Sequence, residues 1–166
     1  FIGMIIFRNI GDQHGLVSEL YWRDFYYNIL YFFPNVIKGS FKEKYNNIKW
    51  RRSKSDFEKW CNGKTGYPII DACMRQMNTT GYMHNRGRMI VSSFLVKNLW
   101  IDWRLGEKYF ANKLTDYNIS ANNGGWQWSS GGGTDAQPYF RIFNAWTQAK
   151  KYDSECEYIK KWVPEL

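Results

Sequence analysis

The run SANNGGWQWSSGGGTDAQPYFRIFN, Ser120 to Asn144, places Trp126 and Trp128 two residues apart in a stretch holding five of the chain's glycines. Glycine lets a backbone approach a flat ligand closely, and exposed indoles offer stacking faces to a base or a flavin. By residue type this is a long loop, either a platform for such a ligand or an irregular loop whose tryptophans are packing anchors. A second chemical cluster is HNRGRM, His84 to Met89, at the start of a predicted helix. A helix N-terminus presents unpaired N–H groups and a positive dipole end, and Arg86 and Arg88 add planar donors suited to phosphate or carboxylate. The alternative is that both arginines pair with neighbouring acids.

Composition narrows the class of ligand. The 166 residues suit one domain with a real core. Aromatic residues make up 19% of the chain, more than packing alone usually requires, while a mean hydropathy of −0.57 marks a polar surface. Lys and Arg number 23 against 15 Asp and Glu, a formal charge of +8, which favours a polyanion such as nucleic acid over a merely solvated basic surface. Cys61, Cys73 and Cys156 form no CxxC or Cys/His cluster, which argues against a disulfide framework or structural zinc and fits a reducing compartment. No apolar run approaches the roughly 18 residues of a membrane span. FIGMIIF is short, is interrupted by Arg8 and lacks signal-peptide flanks. The start at Phe1 and the abrupt end at WVPEL predict a piece of a longer protein.

The elements that must position these residues read as helices. Gly15–Phe33 is an aromatic helix ended by Pro34, and residues 35–54 are a basic loop carrying Trp50. A short helix covers Asp56–Cys61. Thr65 or Gly66 caps the next, with Pro68 in its first turn, with Ile69, Ala72, Cys73, Gln76 and Met77 on one face and with Gly81 at its end. The spacing of Met89, Ser93, Val96, Trp100 and Trp103 predicts one long helix over Asn85–Arg104 with these residues on a common stripe. Helices over Glu107–Leu114, Gln137–Lys150 and Ser154–Trp162 complete a nearly all-α chain whose loops hold the binding residues.

The run from Trp60 to Phe110, followed by NNGGWQW and PYFRIFN, resembles the photolyase/cryptochrome family, in particular the class I cyclobutane pyrimidine dimer photolyases, and the similarity extends from about Glu19 to the closing PEL. The resemblance implies the all-α C-terminal FAD-binding domain of that fold, incomplete on its N-terminal side. It also implies FAD as cofactor, pyrimidine-dimer DNA as partner, a monomer working inside the cell where the DNA is, and light-driven repair by electron transfer from reduced flavin to a dimer flipped out of the duplex. An N-terminal antenna domain with its chromophore, the phosphate-binding stretch that precedes these residues in complete members, and a further helical segment after Leu166 are expected outside the chain.

The resemblance assigns roles by position. On the cofactor side, Asn122 faces flavin N5, Arg88 and Asp116 form an ion pair beside the ring, and Arg23 lies nearby. Asn118 stands where the family prefers a second acid, and Leu16 where related bacterial enzymes carry a flavin-side Trp. For catalysis, Trp50, Trp103 and Trp126 match an electron relay to the flavin, and Glu19 and Asn85 hydrogen-bond the dimer. Residue chemistry alone also fits each relay tryptophan as core. On the DNA side, Trp22 and Trp128 flank the flipped bases and Met89 contacts them. Arg86, Arg141 and Gln148 are candidates for contacts to the DNA backbone or to the flavin side. Met89 stands where (6-4) photolyases usually carry a second active-site His, and Asn122 where plant cryptochromes tend to carry Asp; both favour cyclobutane dimer repair. No metal is expected. The competing readings are a cryptochrome-like photoreceptor and a non-catalytic DNA-binding remnant.

Overall fold

The computed structural model describes residues 14–136, 138 and 141–166. The FIGMIIF opening, the side chains of His14 and Leu16, and Gln137, Tyr139 and Phe140 lie outside the described residues. Eight α-helices appear among the described residues: α1 (His14–Phe32), α2 (Lys54–Cys61), α3 (Pro68–Thr80), α4 (Asn85–Ser93), α5 (Trp103–Lys113), α6 (Ile119–Ser130), α7 (Ala145–Tyr152) and α8 (Glu157–Trp162). The all-α expectation holds. The core is built from fully buried Trp60, Ile70, Met74, Met77, Met83, Val91, Leu95, Val96, Ile101, Trp103 and Phe110. Helix α3 lies at the centre of one half, against α2, α4, α7 and α8, while α6 joins α1, α4 and α5 in the other.

Local chemistry sets most boundaries. Pro34 ends α1 and opens a 3-10 turn, Pro34–Ile37. Ser53 caps α2, where its Oγ accepts the Asp56 N–H at 3.3 Å and donates to Asp56 Oδ2 at 2.9 Å. The N-cap of α3 is Tyr67 rather than Thr65 or Gly66. Those two residues instead donate to the buried Asp71 carboxylate, through the Thr65 N–H and O–H at 2.7 and 2.6 Å and the Gly66 N–H at 3.0 Å. Ile69, Ala72, Cys73 and Met77 are buried as the periodicity requires, whereas Gln76 is half-buried and accepts a 2.7 Å bond from the Tyr158 hydroxyl. Gly81 ends α3 at φ 69°.

Two of the expectations that fail shape the site. Asn85–Arg104 is not one helix: after α4 the chain passes through a π-helical turn, Phe94–Asn98, and breaks at Leu99–Asp102 before α5 starts at Trp103. Trp100 has a left-handed backbone (φ 57°), and Asp102 Oδ1 then caps α5 by accepting the Arg104 N–H at 3.0 Å. The stripe therefore splits, with Ser93, Val96 and Trp103 buried and Trp100 46% exposed. The first half of the glycine-rich run is also not a loop but helix α6. Two glycines weaken a helix by about 1 kcal/mol each, so neighbouring structure must hold it. Asn118 Oδ1 caps it by accepting the Ala121 N–H at 3.1 Å, and Gly131 ends it at φ 89°. Buried Asn123 and Gln127 donate to Val36 O at 3.0 and 2.8 Å, and Gln127 Oε1 accepts the Phe41 N–H at 2.8 Å. The polar residues that make the run look loop-like are the ones that tie it to residues 36–41. The helix expected over Gln137–Lys150 is α7 and starts at Ala145, after the Asn144 cap.

Candidate functional site

A cleft of about 570 Å³ opens between α1, α4, α6 and the Leu114–Asn118 turn. Every residue anticipated on the cofactor side lines it: Arg23, Arg88, Asp116, Asn118 and Asn122. Of the dimer-side residues, Glu19, Trp22, Asn85, Met89 and Trp128 line the same cleft, as does Trp126. Residues more than 100 positions apart in sequence thus share one cavity, of a size typical of sites that enclose a small molecule.

The α4 start positions Arg88. His84 is the N-cap, its Nδ1 accepting the Arg86 N–H at 3.1 Å, and one turn later Arg88 reaches back to donate from Nε to Met83 O at 2.7 Å. Arg88 Nη2 bridges both oxygens of Asp116, at 3.0 and 2.7 Å. The guanidinium also stands 5.8 Å from the Tyr82 ring centre. With Arg88 27% and Asp116 48% exposed, water screens the pair, so it fixes geometry more than it adds stability. The two arginines of HNRGRM therefore part ways. Arg88 meets an acid, whereas Arg86 lies over the Tyr152 ring at 4.7 Å, outside the cleft lining.

Helix α6 presents the other wall. Asn122 Nδ2 donates to Glu107 Oε1 at 3.0 Å and to Glu107 O at 3.2 Å, which leaves its amide oxygen as the acceptor offered to the cleft. Glu107 Oε1 also receives the Tyr117 hydroxyl at 3.3 Å. Asn118, at the position of the expected second acid, spends its side chain on structure: besides capping α6 it accepts from Ser120 Oγ at 2.6 Å and donates to the Tyr27 hydroxyl. Gly125 lines the cleft, and a Cβ there would meet nothing within 4 Å, so bare backbone faces the cavity. A flat heteroaromatic ring can rest against such a surface, with Asn122 Oδ1 as acceptor and Arg88 with Asp116 as a charged edge. The residues present therefore fit a flavin.

Trp22 stands at the α1 wall, stacked on Tyr26 with ring centres 6.0 Å apart and edge-on to Phe25 at 5.7 Å. It is 42% exposed, a face open to a partner. Burial, followed by the Asp135 and Glu19 carboxylates, pushes the Tyr26 hydroxyl above the ordinary tyrosine range. Trp128 tilts against Phe143 at 6.5 Å, and Ser92 and Ser129 share a 2.6 Å hydrogen bond at the floor. Trp126 is 2% exposed, edge-on to Phe110 at 5.0 Å and to Trp60 at 6.0 Å, and its ring fills the notch left by Gly106.

The remaining anticipated residues lie elsewhere. Trp103 is buried one helical turn before Gly106, and Trp50 packs between the core and Trp100. No ring contact among the described residues joins Trp103 to Trp50 or Trp126. Arg141 is exposed beyond the cleft. The Gln148 amide oxygen is buried without a hydrogen-bond partner among the described residues. Glu107, Tyr117, Tyr26 and Asp135 were not anticipated. Glu107 had a legible signal, because it shares a face of α5 with Phe110 at i+3, and Phe110 lines the cleft.

The family described as the FAD binding domain of DNA photolyase matches residues 16–166. A deoxyribodipyrimidine photo-lyase of Vibrio cholerae is 54% identical over 151 residues, 90% of this chain and 32% of that protein. An archaeal photolyase from Sulfolobus tokodaii, solved with two FAD molecules, superposes with a TM-score of 0.91 at 49% identity over 96% of this chain and 37% of its own. A cryptochrome from Synechocystis superposes with a TM-score of 0.88 at 41% identity over 95% of this chain and 33% of its own. The chain therefore spans about a third of the length of the relatives it matches. The match over 16–166, together with a cleft whose donors and bare backbone suit a flavin, places this chain in the photolyase/cryptochrome family, as an FAD-binding domain.

Proposed function

We propose that these residues form the flavin- and lesion-binding part of a class I cyclobutane pyrimidine dimer photolyase. The observation that carries this reading is the shared cleft, in which Arg88, Asp116 and Asn122 stand alongside Trp22, Asn85, Met89 and Trp128. Reduced FAD, when bound, supplies a light-driven one-electron transfer to the dimer. All other tasks fall to side chains of this chain.

Arg88 and Asp116 hold the charged edge of the flavin ring, and Asn122, oriented by Glu107, offers its amide oxygen at the N5 edge. Arg23 adds a cation at the α1 wall. Trp22 and Trp128 stack against the flipped bases, a contact worth about 1–3 kcal/mol per base. Glu19 and Asn85 hydrogen-bond base edges, Glu19 facing the charge that develops on the dimer. Met89 gives an apolar contact where a second histidine would suit a (6-4) lesion. Trp126, Trp103 and Trp50 pass an electron inward to restore the reduced cofactor. Arg86, Arg141 and Gln148, outside the cleft, meet the flanking DNA backbone, and the net charge of +8 adds a salt-sensitive attraction to any duplex. On this reading residues 1–166 act as one FAD- and DNA-binding unit, a monomer in whichever compartment holds the DNA.

The test is loss of cyclobutane dimers from an ultraviolet-irradiated oligonucleotide under blue light, with the FAD-loaded protein against a dark control. Light-dependent loss that Trp22→Ala and Trp128→Ala each reduce supports repair. Flavin photochemistry without dimer loss favours the photoreceptor reading, to which the likeness to the Synechocystis cryptochrome lends weight. DNA affinity with no flavin retained favours a remnant.

A further inference from the structure

We infer that the adjacent serines Ser92 and Ser93 of α4 are positioning residues for Trp128, one holding the stretch of α6 that carries it and the other holding the ring it leans on. The inference rests on the reading of Trp128 as a face for a flipped base given above, and both serines act through that indole.

Two hydroxyls stand in an apolar run. Ser92 and Ser93 interrupt the buried hydrophobic residues of 90–96, and they are 4% and 0% exposed. Serine is a poorer helix former than the alanine or leucine that could fill such positions, and burying a hydroxyl is unfavourable unless it is hydrogen-bonded. Each bonds to another element. Ser92 Oγ meets Ser129 Oγ of α6 at 2.6 Å, and Ser93 Oγ accepts the Phe143 N–H at 3.4 Å. The proton count gives the first bond its direction. Ser92 has one hydroxyl proton and lies 3.3 Å from Met89 O, which can only accept, so Ser129 is the donor in the shared bond.

Both bonds converge on Trp128. Its sequence neighbours Gln127 and Ser129 sit on nearly opposite sides of a helix with about 3.6 residues per turn. Gln127 donates to Val36 O and Gly39 O at 2.8 and 3.1 Å, and Ser129 donates to Ser92, so α6 is held against rotation on both sides of the tryptophan. Lys97, four residues after Ser93, adds a tie to Ser130 O at 3.3 Å. The one ring partner of Trp128 among the described residues is Phe143, tilted at 6.5 Å, and Ser93 holds the backbone of that partner. Trp22 differs, because Tyr26 and Phe25 of its own helix hold it. Since Ser92 also bonds Met89 O, one side chain sets the spacing between Met89 and Trp128, which line the same cleft.

The test measures dimer preference, the affinity of the FAD-loaded chain for a duplex with one cyclobutane dimer divided by that for the same duplex undamaged, together with urea midpoints. Ser92→Ala leaves the Ser129 hydroxyl unpaired and should lower the midpoint, whereas Ser92→Ala combined with Ser129→Ala removes both hydroxyls and should restore it. Dimer preference should not recover. In the double variant it should fall about tenfold, equivalent to ~1.4 kcal/mol, and in Ser93→Ala by a smaller factor. Without cofactor, the near-ultraviolet circular dichroism of Trp128, read as wild type minus Trp128→Phe, should shrink in the double variant and in Ser93→Ala. In a Trp128→Ala background the serine changes should add nothing, because they act through the indole. A Trp128 signal unchanged in both variants, or a double variant that keeps the wild-type dimer preference or is less stable than Ser92→Ala, overturns the inference. So does a serine effect of equal size in the Trp128→Ala background. If Trp128→Ala itself leaves dimer preference unchanged, the base-stacking reading falls and this inference with it.

Discussion

Gly106→Ala tests whether the packing that seats Trp126 is as tight as the structure shows. A Cβ at Gly106 would stand 2.2 Å from Trp126 Cη2, 2.5 Å from Cζ3 and 2.6 Å from Leu95 Cδ2. Carbon atoms in favourable contact lie about 3.5–4.0 Å apart, so the indole must retreat by more than an ångström. It has nowhere to go, because Phe110 and Trp60 hold it edge-on from the other sides. Overpacking of this kind costs about 1–3 kcal/mol, and alanine in place of a helical glycine returns roughly 0.5–1 kcal/mol. The net expectation is a loss of about 1–2 kcal/mol, which for a chain of this size lowers Tm by roughly 2–8 °C. Gly125→Ala is the matched control: it lies in α6, and its Cβ would meet nothing within 4 Å, so helix propensity should leave Tm unchanged or higher. Scanning calorimetry of both variants, with Trp fluorescence as a second probe, decides the matter. A Tm for Gly106→Ala at or above wild type would refute the account of how Trp126 is held.

Three further outcomes are expected. Glu107→Ala releases the Asn122 amide and should weaken FAD binding by about 1 kcal/mol, the net worth of one hydrogen bond, while Glu107→Gln keeps an acceptor and should stay near wild type in flavin titrations. Burial pushes the Cys61 thiol up to about 12 and the Cys73 thiol to about 11, so iodoacetamide at neutral pH should label Cys156 first, with the other two reacting only on unfolding. Asp56 is held below the ordinary carboxylate range by hydrogen bonds from Ser53 and Arg51, and Glu165 by Arg75. Each has a folded pKa below its unfolded one, so their contribution to stability is complete above about pH 5 and fades as pH falls through about 4 and below. Urea midpoints measured from pH 7 to 3 should decline over that interval, and less so in Asp56→Asn.

Local rules carried the sequence reading where one helix could be judged by its own apolar face. The Pro68 start, the Gly81 stop and the buried Ile69, Ala72, Cys73 and Met77 of α3 follow from capping and periodicity. Those rules fail where distant residues decide. Helix α6 looks like a loop because its stability comes from Asn123 and Gln127 binding the 36–41 turn and from Gly124 admitting the Tyr26 ring, with Tyr26 Cδ1 2.2 Å from where a Cβ would be. The break at Leu99–Asp102 is invisible to a periodicity argument, since Trp100 and Trp103 keep helical spacing while the backbone between them does not. The Arg88–Asp116 pair was legible through the motif resemblance; the face of α5 pointed to Glu107, but not its hydrogen bond to Asn122, because Asn122 lies in the next helix. The ring neighbour of Arg86 likewise comes from a distant element, Tyr152 of α7.

The central claim is that the cleft between α1, α4 and α6 is a flavin site held by Arg88, Asp116 and Asn122. The most direct measurement is the visible absorption spectrum of the chain after incubation with FAD and gel filtration, repeated for Arg88→Ala. The account predicts that flavin co-elutes with the wild-type chain and that Arg88→Ala retains markedly less. A wild-type chain that emerges without flavin, or an Arg88→Ala chain that holds it as well as wild type, would contradict it.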